Sequence, residues 1–419
     1  MTVTQLCHLM LDNAPPSTGN GFLENTSRAN PHSVADQGGF AQADPLRGRF
    51  LFLDALRGIA ALAVVVHHGL EGKHVDGLTS ILPGWIVAAV ESGGLGVGIF
   101  FAISGFVIAH SVYADRVTLP FAGRFMLRRS IRLDPPYWLA IALVLASATL
   151  SAMVLPGKAA LEVSGSQLLA HLVYLQEMLG HPHLNIVFWT LCLEVQFYLT
   201  YVILLWISRN DPGEPLHGRL TTTALALAVL VSLLWPIGVF TEAPWPGSFL
   251  AHWHGFLVGV AAYWAWRNPQ IAPFFLGLVL AIVAAAWVNG HPFSFVCAAT
   301  AFVLWFFAVS GRIYSALSWS WLQFLGAISY SLYLIHNPVN GATFRIGYMI
   351  TGRSHFWEAF WWLGSLAACL AFAAAMWWAV EQPSIHWARK IALRGPRQAD
   401  APMANQPESI PLHRTATEL

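Results

Sequence analysis

LFLDALRGIAALAVVVHHGL, residues 51–70, is an apolar stretch interrupted by an arginine and two histidines. It is long enough to cross a bilayer as a helix. Arg57 and His68 are eleven residues apart, which on a helix is about three turns plus 20°, so both side chains lie on one face. They are separated by about 16 Å along the axis. Ionisable groups within a membrane span usually face a protein interior or a water-filled cavity, so this pair predicts a functional site.

The composition of the whole chain is that of a membrane protein. Of its 419 residues, 56% are hydrophobic and only 10% are charged, and the mean hydropathy is +0.56. A soluble domain carries about 25% charged residues. The net charge of +1 gives no indication of a nucleic-acid partner. We therefore predict an all-α polytopic membrane protein.

Apolar runs of spanning length predict about ten transmembrane helices. They lie at residues 51–70, 88–112, 136–155, 187–207, 222–240, 249–266, 272–288, 293–310, 322–349 and 357–380. The shorter stretch 166–179 is predicted to be a re-entrant or interfacial helix.

Lysine and arginine concentrate in every second connection between these predicted spans. The densest group lies between the second and third spans and comprises Arg116, Arg124, Arg128, Arg129 and Arg132. Cytoplasmic loops carry an excess of Lys and Arg, so this alternation predicts an even number of spans and two cytoplasmic termini. Residues 1–46 and 393–419 are polar and lack apolar periodicity. We expect them to be disordered tails around a membrane domain at 47–392.

The cysteines give no indication of a metal centre or of a disulfide framework. Cys192, Cys297 and Cys369 fall within predicted spans and Cys7 in the N-terminal tail. None forms a CxxC pair or a His/Cys spacing typical of metal sites. No metal is predicted, and the cysteines are expected to serve packing.

Six segments, in this order, resemble the acyltransferase 3 family, whose members are integral membrane O-acyltransferases of bacterial surface glycans and some secreted small molecules. The segments are LDALRGIAALAVVVHH (53–68), GVGIFFAISGF (96–106), RRSIRLDPPYW (128–138), WTLCLEVQFYL (189–199), LGAISYSLYLIH (325–336) and VEQP (380–383). The chain departs from the commonest family pattern at Gly98, where an acidic residue is usual. The resemblance implies a cytoplasmic acyl-CoA donor and an acceptor hydroxyl, with no permanently bound cofactor.

The family's Arg-and-His motif falls on Arg57 and His68. The resemblance implies that His68 is catalytic, and an imidazole can accept a hydroxyl proton near neutral pH and return one to a thiolate. The predicted topology places Glu194 and His336 at a similar depth in the membrane. We expect Glu194 to orient His68, with a purely structural buried carboxylate as the alternative. For His336 a substrate-binding role and a structural role are equally supported.

Arg128, Arg129 and Arg132 are expected to bind the phosphates of coenzyme A, because guanidinium groups bind phosphate oxygens in bidentate fashion. The alternative is that this region is basic only to set orientation or to meet anionic lipids. Arg57 is expected to contact the pantetheine or pyrophosphate part of the donor. A simple salt bridge to Asp54, three residues earlier, is its competing interpretation.

The sequence thus predicts an enzyme of a bacterial inner membrane. It would move a short acyl group, with acetyl favoured, from acyl-CoA to a hydroxyl of a surface or exported carbohydrate or related metabolite. A secondary transporter or exporter, in which the intramembrane charges form a relay, is the alternative from another functional class. No inverted repeat is evident in the sequence, which favours the enzyme.

Overall fold

The computed structural model describes residues 49–112, 117–154, 161–208 and 219–393, and these contain helices and no strand. The prediction of an all-α protein is confirmed for this part of the chain. The α-helices are α1 (Leu51–Glu71), α2 (Asp76–Ile81), α3 (Gly84–Glu91), α4 (Gly96–Val112), α5 (Leu119–Val154), α6 (Gly165–Leu172), α7 (Trp189–Ser208), α8 (Arg219–Ser232), α9 (Trp253–Arg267), α10 (Ala272–Asn289), α11 (Pro292–Val309), α12 (Ser320–Thr351), α13 (His355–Met376) and α14 (Gln382–Arg389). A π-helical turn, Trp377–Glu381, joins the last two.

Seven helical segments of the described chain are long and apolar enough to cross a membrane. They are Leu51–Glu71, Gly84–Val112, Leu119–Val154, Ile186–Ile207, Pro269–Asn289, Pro292–Val309 and His355–Arg389. The chain is therefore a multi-pass membrane protein, and the count of ten stays a prediction. The predicted N-terminal tail, with Cys7, lies outside the described residues, and so does the predicted C-terminal tail beyond Leu393.

Two predicted segments differ from the observed helices. The run 222–240 is not a single helix, because α8 ends at Ser232 and turns follow, with Pro236 lacking an N–H and Gly238 at φ +80°. Its 14 residues give a length of about 21 Å, less than a bilayer core of about 30 Å. The third predicted span begins earlier than expected. Helix α5 starts at Leu119, so Arg124, Arg128, Arg129 and Arg132 lie on a helix and not in a loop.

Helix α1 contributes to both hydrophobic cores of the bundle. Phe52 and Leu53, near its start, pack in one core with α4, α7, α9, α10 and α11. Ala61, Val64 and Val65, farther along, pack in the other with α5, α12 and α13. The face of α1 that carries Arg57 and His68 is therefore held by buried apolar neighbours on either side.

Helices α1 and α12 run parallel and cross at two glycines. A Cβ on Gly58 would lie 2.7 Å from the backbone nitrogen of Gly326, and one on Gly326 would lie 2.2 Å from the carbonyl oxygen of Asp54. Glycine is needed here because only a residue without Cβ permits this backbone approach. Ten residues beyond each glycine stand His68 and His336, whose ring centroids are 4.9 Å apart. The crossing thus sets the register of the two histidines.

We predict that Gly326→Ala destabilises the protein, since the added methyl group must displace the backbone of α1. Overpacking of this kind costs about 1–3 kcal/mol. The matched control is Gly277→Ala on α10, where a Cβ meets nothing within 4 Å. Thermal unfolding of the detergent-solubilised protein should show a lower midpoint for Gly326→Ala only. Equal midpoints for the two variants would contradict the close crossing.

Candidate active site

A cavity of about 1270 Å³ lies between α1, α4, α5, α7, α12 and α14. This exceeds the range of about 300–1,000 Å³ typical of drug-sized ligand pockets. Six arginines line it, so we call it the arginine cavity: Arg49, Arg57, Arg128, Arg129, Arg132 and Arg389. Arg389 was not singled out from the sequence, although its place in the basic run after the last span was a usable signal.

Four of these arginines form no salt bridge with a described carboxylate, although Glu381, which also lines the cavity, interacts electrostatically with Arg132 and Arg57. Among the described residues, no carboxylate lies within 4.0 Å of Arg57, Arg128, Arg132 or Arg389. The expected alternative for Arg57, a salt bridge to Asp54, is not formed, because Asp54 accepts a 2.6 Å hydrogen bond from Nε of Arg49. Arg132 and Arg389 are close enough to Arg128 to repel it. Such a concentration of positive charge in a cavity favours an anionic ligand.

Glu194 and Arg129 form the middle of the arginine cavity. Glu194 Oε1 accepts hydrogen bonds from Ser104 Oγ, at 2.6 Å, and from the Tyr198 hydroxyl. The Arg129 guanidinium lies 4.8 Å from the centre of the Tyr198 ring and interacts electrostatically with Glu194. The expected contact between Glu194 and His68 is absent. Glu194 lies on α7, and its side chain points into the arginine cavity. Its surroundings are those of a charge partner for Arg129.

The cavity ends at Tyr333, a residue that the sequence analysis did not single out. The Tyr333 hydroxyl lies 2.8 Å from Oγ1 of Thr190 and 3.3 Å from the carbonyl oxygen of Val187. Its ring is 5.7 Å from that of Phe100 and 5.9 Å from that of His336. Thr190, Tyr333 and Phe100 all line the cavity, whereas His336 and His68 do not. Tyr333 therefore stands between the arginine cavity and the two histidines.

His68 and His336, the histidine pair, face each other beyond this end. Nδ1 of His68 is 2.9 Å from the carbonyl oxygen of Val64, and Nδ1 of His336 is 2.7 Å from that of Tyr333. A carbonyl oxygen only accepts, so both Nδ1 atoms carry a proton, and in the neutral form of each imidazole Nε2 keeps the lone pair. Nε2 of the fully buried His336 has no hydrogen-bond partner among the described residues. A backbone carbonyl, and not Glu194, fixes the tautomer of His68.

The hydrogen bond that Pro338 removes from α12, beside the histidine pair, is replaced by one from a side chain. Pro338 lies inside α12 and has no N–H to give to the carbonyl oxygen of Leu334. Asn185 Nδ2 donates to that oxygen at 3.3 Å, and Asn337 Nδ2 donates to Asn185 Oδ1 at 3.0 Å. The connection before α7 thus stabilises α12 at its break.

One cluster near the histidine pair has the residue types of a metal site. The ligand atoms of His67, His68 and Glu71 lie within 4.8 Å of one another, and Glu71 Oε2 is 3.5 Å from each Nε2. Glu71 is exposed, with 53% of its side chain accessible. Three donors, one of them a solvated carboxylate, fall short of the four ligands of a structural zinc site. The prediction that no metal is used stays untested by this cluster.

The ring of His74 also lies near this end, stacked on Phe344 at 4.6 Å. Burial, together with the charges of Arg353 and Arg345, lowers the pKa of His74. Its imidazole is therefore neutral near pH 7. The hydrogen bonds of His68 and His336 fit neutral imidazoles as well.

The structure also accounts for the departure from the family pattern at Gly98. A Cβ there would lie 3.2 Å from Sγ of Cys297 and 3.3 Å from the carbonyl oxygen of Phe293. A side chain at this position would require its neighbours on α11 to shift by a few tenths of an ångström. Glycine at residue 98 therefore permits the close packing of α4 on α11.

Viewed along the bundle axis, the polar groups form a sequence of levels. The unpaired arginines come first, the Arg129–Glu194 pair second, Tyr333 with Thr190 third, and the histidine pair last. Such an arrangement can hold a long, anionic molecule at one end and offer proton acceptors at the other.

Comparison with known proteins agrees with this chemistry. The sequence profile of the acyltransferase 3 family, described as an acyltransferase domain, matches residues 50–383. Nodulation protein 10 of Rhizobium leguminosarum bv. viciae is 27% identical over 381 residues, which is 81% of this chain and 95% of that protein. No solved structure shows significant similarity.

Two further relatives match over smaller parts of their length. A Bacillus subtilis (strain 168) protein, named as a candidate peptidoglycan O-acetyltransferase, is 24% identical over 68% of this chain and 48% of its own length. Protein 2 in the picA locus of Rhizobium radiobacter is 37% identical over 23% of this chain, and the match spans 45% of that protein. The family profile covers most of the chain, including the arginine cavity and the histidine pair. The protein belongs to the acyltransferase 3 family and is a membrane acyltransferase.

Proposed function

We propose that this enzyme transfers a short acyl group, with acetyl favoured, from cytoplasmic acyl-CoA to a hydroxyl of a surface or exported carbohydrate or related metabolite. The observation that carries the proposal is the order of groups along the bundle, in which arginines without salt bridges lead through one cavity towards two imidazoles whose Nδ1 atoms are held by backbone carbonyls. The preference for acetyl and for a glycan acceptor rests on the name of the Bacillus relative.

The arginine end suits the nucleotide part of the donor. Coenzyme A carries a pyrophosphate and a 3′-phosphate, and Arg128, Arg132 and Arg389 offer guanidinium groups that form no salt bridge with a described carboxylate. Arg57 lies deeper, on α1, where it would meet the pantetheine arm. The thioester would then lie towards Tyr333 and the histidine pair.

His68 is the proposed general base. Its Nε2 takes the proton of the acceptor hydroxyl, and the oxygen attacks the thioester carbonyl to form a tetrahedral intermediate. Collapse of the intermediate breaks the C–S bond, and the coenzyme A thiolate takes a proton back from Nε2. Glu71, 3.5 Å away, favours the transient imidazolium. His336 is the proposed second imidazole of the acceptor site.

The topology follows from the positive residues. With ten spans and both termini in the cytoplasm, the arginine cavity would open to the cytoplasmic acyl-CoA pool and the histidine pair would lie in the outer half of a bacterial inner membrane. Acceptor and donor would then approach from opposite sides.

We predict that His68→Ala abolishes O-acylation. Cells that lack the gene would be complemented with each variant, and base-labile acetate from envelope carbohydrate, together with acyl groups on exported metabolites, would be measured. The wild type should restore the signal and His68→Ala should not, at equal protein abundance. His291→Ala, a substitution of an exposed histidine at the start of α11, is the control and should restore it. Normal acylation by His68→Ala would rule out its role as the base.

We predict that Arg132→Ala weakens donor binding through lost phosphate contacts. Hydrogen bonds to charged groups contribute about 1.5–3 kcal/mol, so KM for acetyl-CoA should rise about 10-fold or more. S-acetylpantetheine has no phosphate on this arm, and its KM should be the same for wild type and variant. Arg312 is exposed, follows α11 in the chain and does not line the cavity. Arg312→Ala should therefore change neither KM. An equal penalty with both donors would contradict the phosphate contact.

A further inference from the structure

Tyr333 and Thr190 form the level, between the arginines and the histidine pair, to which the proposed mechanism assigns no role. Tyr333 lines the inner end of the arginine cavity and is 7% exposed. On α12 it is seven residues past Gly326 and three before His336, which places it about 4.5 Å before the histidine along the axis. Tyr333 therefore contacts both the arginine cavity and the ring of His336.

The hydrogen bonds around Tyr333 determine where its proton can go. Thr190 Oγ1 donates to the carbonyl oxygen of Val187 at 3.0 Å. The Tyr333 hydroxyl donates to the same Val187 oxygen at 3.3 Å, because a carbonyl oxygen has two lone pairs. It also lies 2.8 Å from Thr190 Oγ1, a contact in which either hydroxyl can be the donor. In each arrangement the phenol proton rests on a neutral acceptor, from which a stronger acceptor can take it.

A thioester whose nucleotide is held by the arginines would present its carbonyl group at this level. We propose that Tyr333 is a further catalytic residue, whose hydroxyl turns from Thr190 to the carbonyl oxygen of the bound thioester and stabilises the oxyanion. This inference rests on the proposed acyl transfer from acyl-CoA. The proton of Tyr333 is shared with the oxyanion and stays on the phenol when the intermediate collapses. The acceptor proton is carried by His68, so the step balances.

The location explains why a neutral donor serves here. Tyr333 interacts electrostatically with Glu194, whose charge is offset by the guanidinium of Arg129. Phe100 and Leu191 complete the apolar wall beside Tyr333. Charge that develops on the thioester oxygen at this level would meet the hydroxyl of Tyr333, with Thr190 behind it. A donor in such a water-poor place stabilises an oxyanion more than it would in water.

The test uses the full-length enzyme in nanodiscs, [¹⁴C]acetyl-CoA as donor and membranes of the gene-deleted strain as acceptor, with base-labile label as the readout. Tyr333→Phe should lower kcat about 100- to 1,000-fold, the usual loss for one oxyanion donor. KM for acetyl-CoA should stay within about threefold, because the phosphate contacts are intact. Thr190→Val, which removes only the resting partner of the hydroxyl, should lower kcat no more than about 10-fold.

Tyr201→Phe is the matched control. Tyr201 is also fully buried on α7 and accepts a hydrogen bond, from Trp264 Nε1, but it does not line the cavity. Its kcat should equal that of the wild type. Thermal unfolding of all variants checks that losses in rate are not losses of fold.

The outcomes separate this inference from the proposal beneath it. Transfer by the wild type, loss in His68→Ala and a kcat for Tyr333→Phe within threefold of the wild type would overturn the role of Tyr333 alone. A Tyr333→Phe variant with a raised KM and an unchanged kcat would also overturn the role of Tyr333. Absence of label transfer by the wild-type enzyme would overturn the proposed function and this inference together.

Discussion

The close parallel approach of α1 and α12 organises the rest of the molecule. At Gly58 and Gly326 the two backbones touch, and no side chain can be accommodated between them. Because the helices are parallel from that point, residues at equal distances beyond it come to the same level, which brings His68 beside His336. The same register places Tyr333 just before the pair. A contact between two glycines thus determines the geometry of groups that are two to three helical turns away.

The second constraint is the cost of placing charge among apolar helices. Burial of a guanidinium is unfavourable unless it gains partners. Arg129 has Glu194 and the ring of Tyr198, and Glu194 in turn accepts hydrogen bonds from Ser104 and Tyr198. The other arginines of α1, α5 and α14 in the cavity form no salt bridge with a described carboxylate and are half-buried or exposed, although Glu381 interacts electrostatically with Arg132 and Arg57. The excess of arginines over carboxylates in the cavity is the electrostatic basis for admitting an anionic nucleotide while its uncharged arm reaches further.

Much of this was accessible from the sequence. The apolar runs and low charge predicted a helical membrane protein, and eleven-residue spacing predicted that Arg57 and His68 share a face of α1. The family motifs marked the arginines of α5 as members of one site, and four of the six arginines of the cavity were named as site residues from the sequence. The assignment of Glu194 as the partner of His68 failed because depth in the membrane was the only evidence for it. Depth does not give the angle at which a side chain leaves its helix, and α7 turns Glu194 towards Arg129.

The sequence by itself determined what is periodic or compositional: helices, their apolar faces, the number of basic residues and the side of α1 on which they lie. These follow from the local geometry of a single helix and from the cost of exposing backbone and charge to lipid. The tertiary structure decided which faces meet. It paired Asp54 with Arg49, brought Arg389 to the arginines of α5, and set Tyr333 between the cavity and the histidines. Such contacts join residues far apart in the chain, and their register depends on the packing of backbones at the glycine crossing, which no single helix encodes.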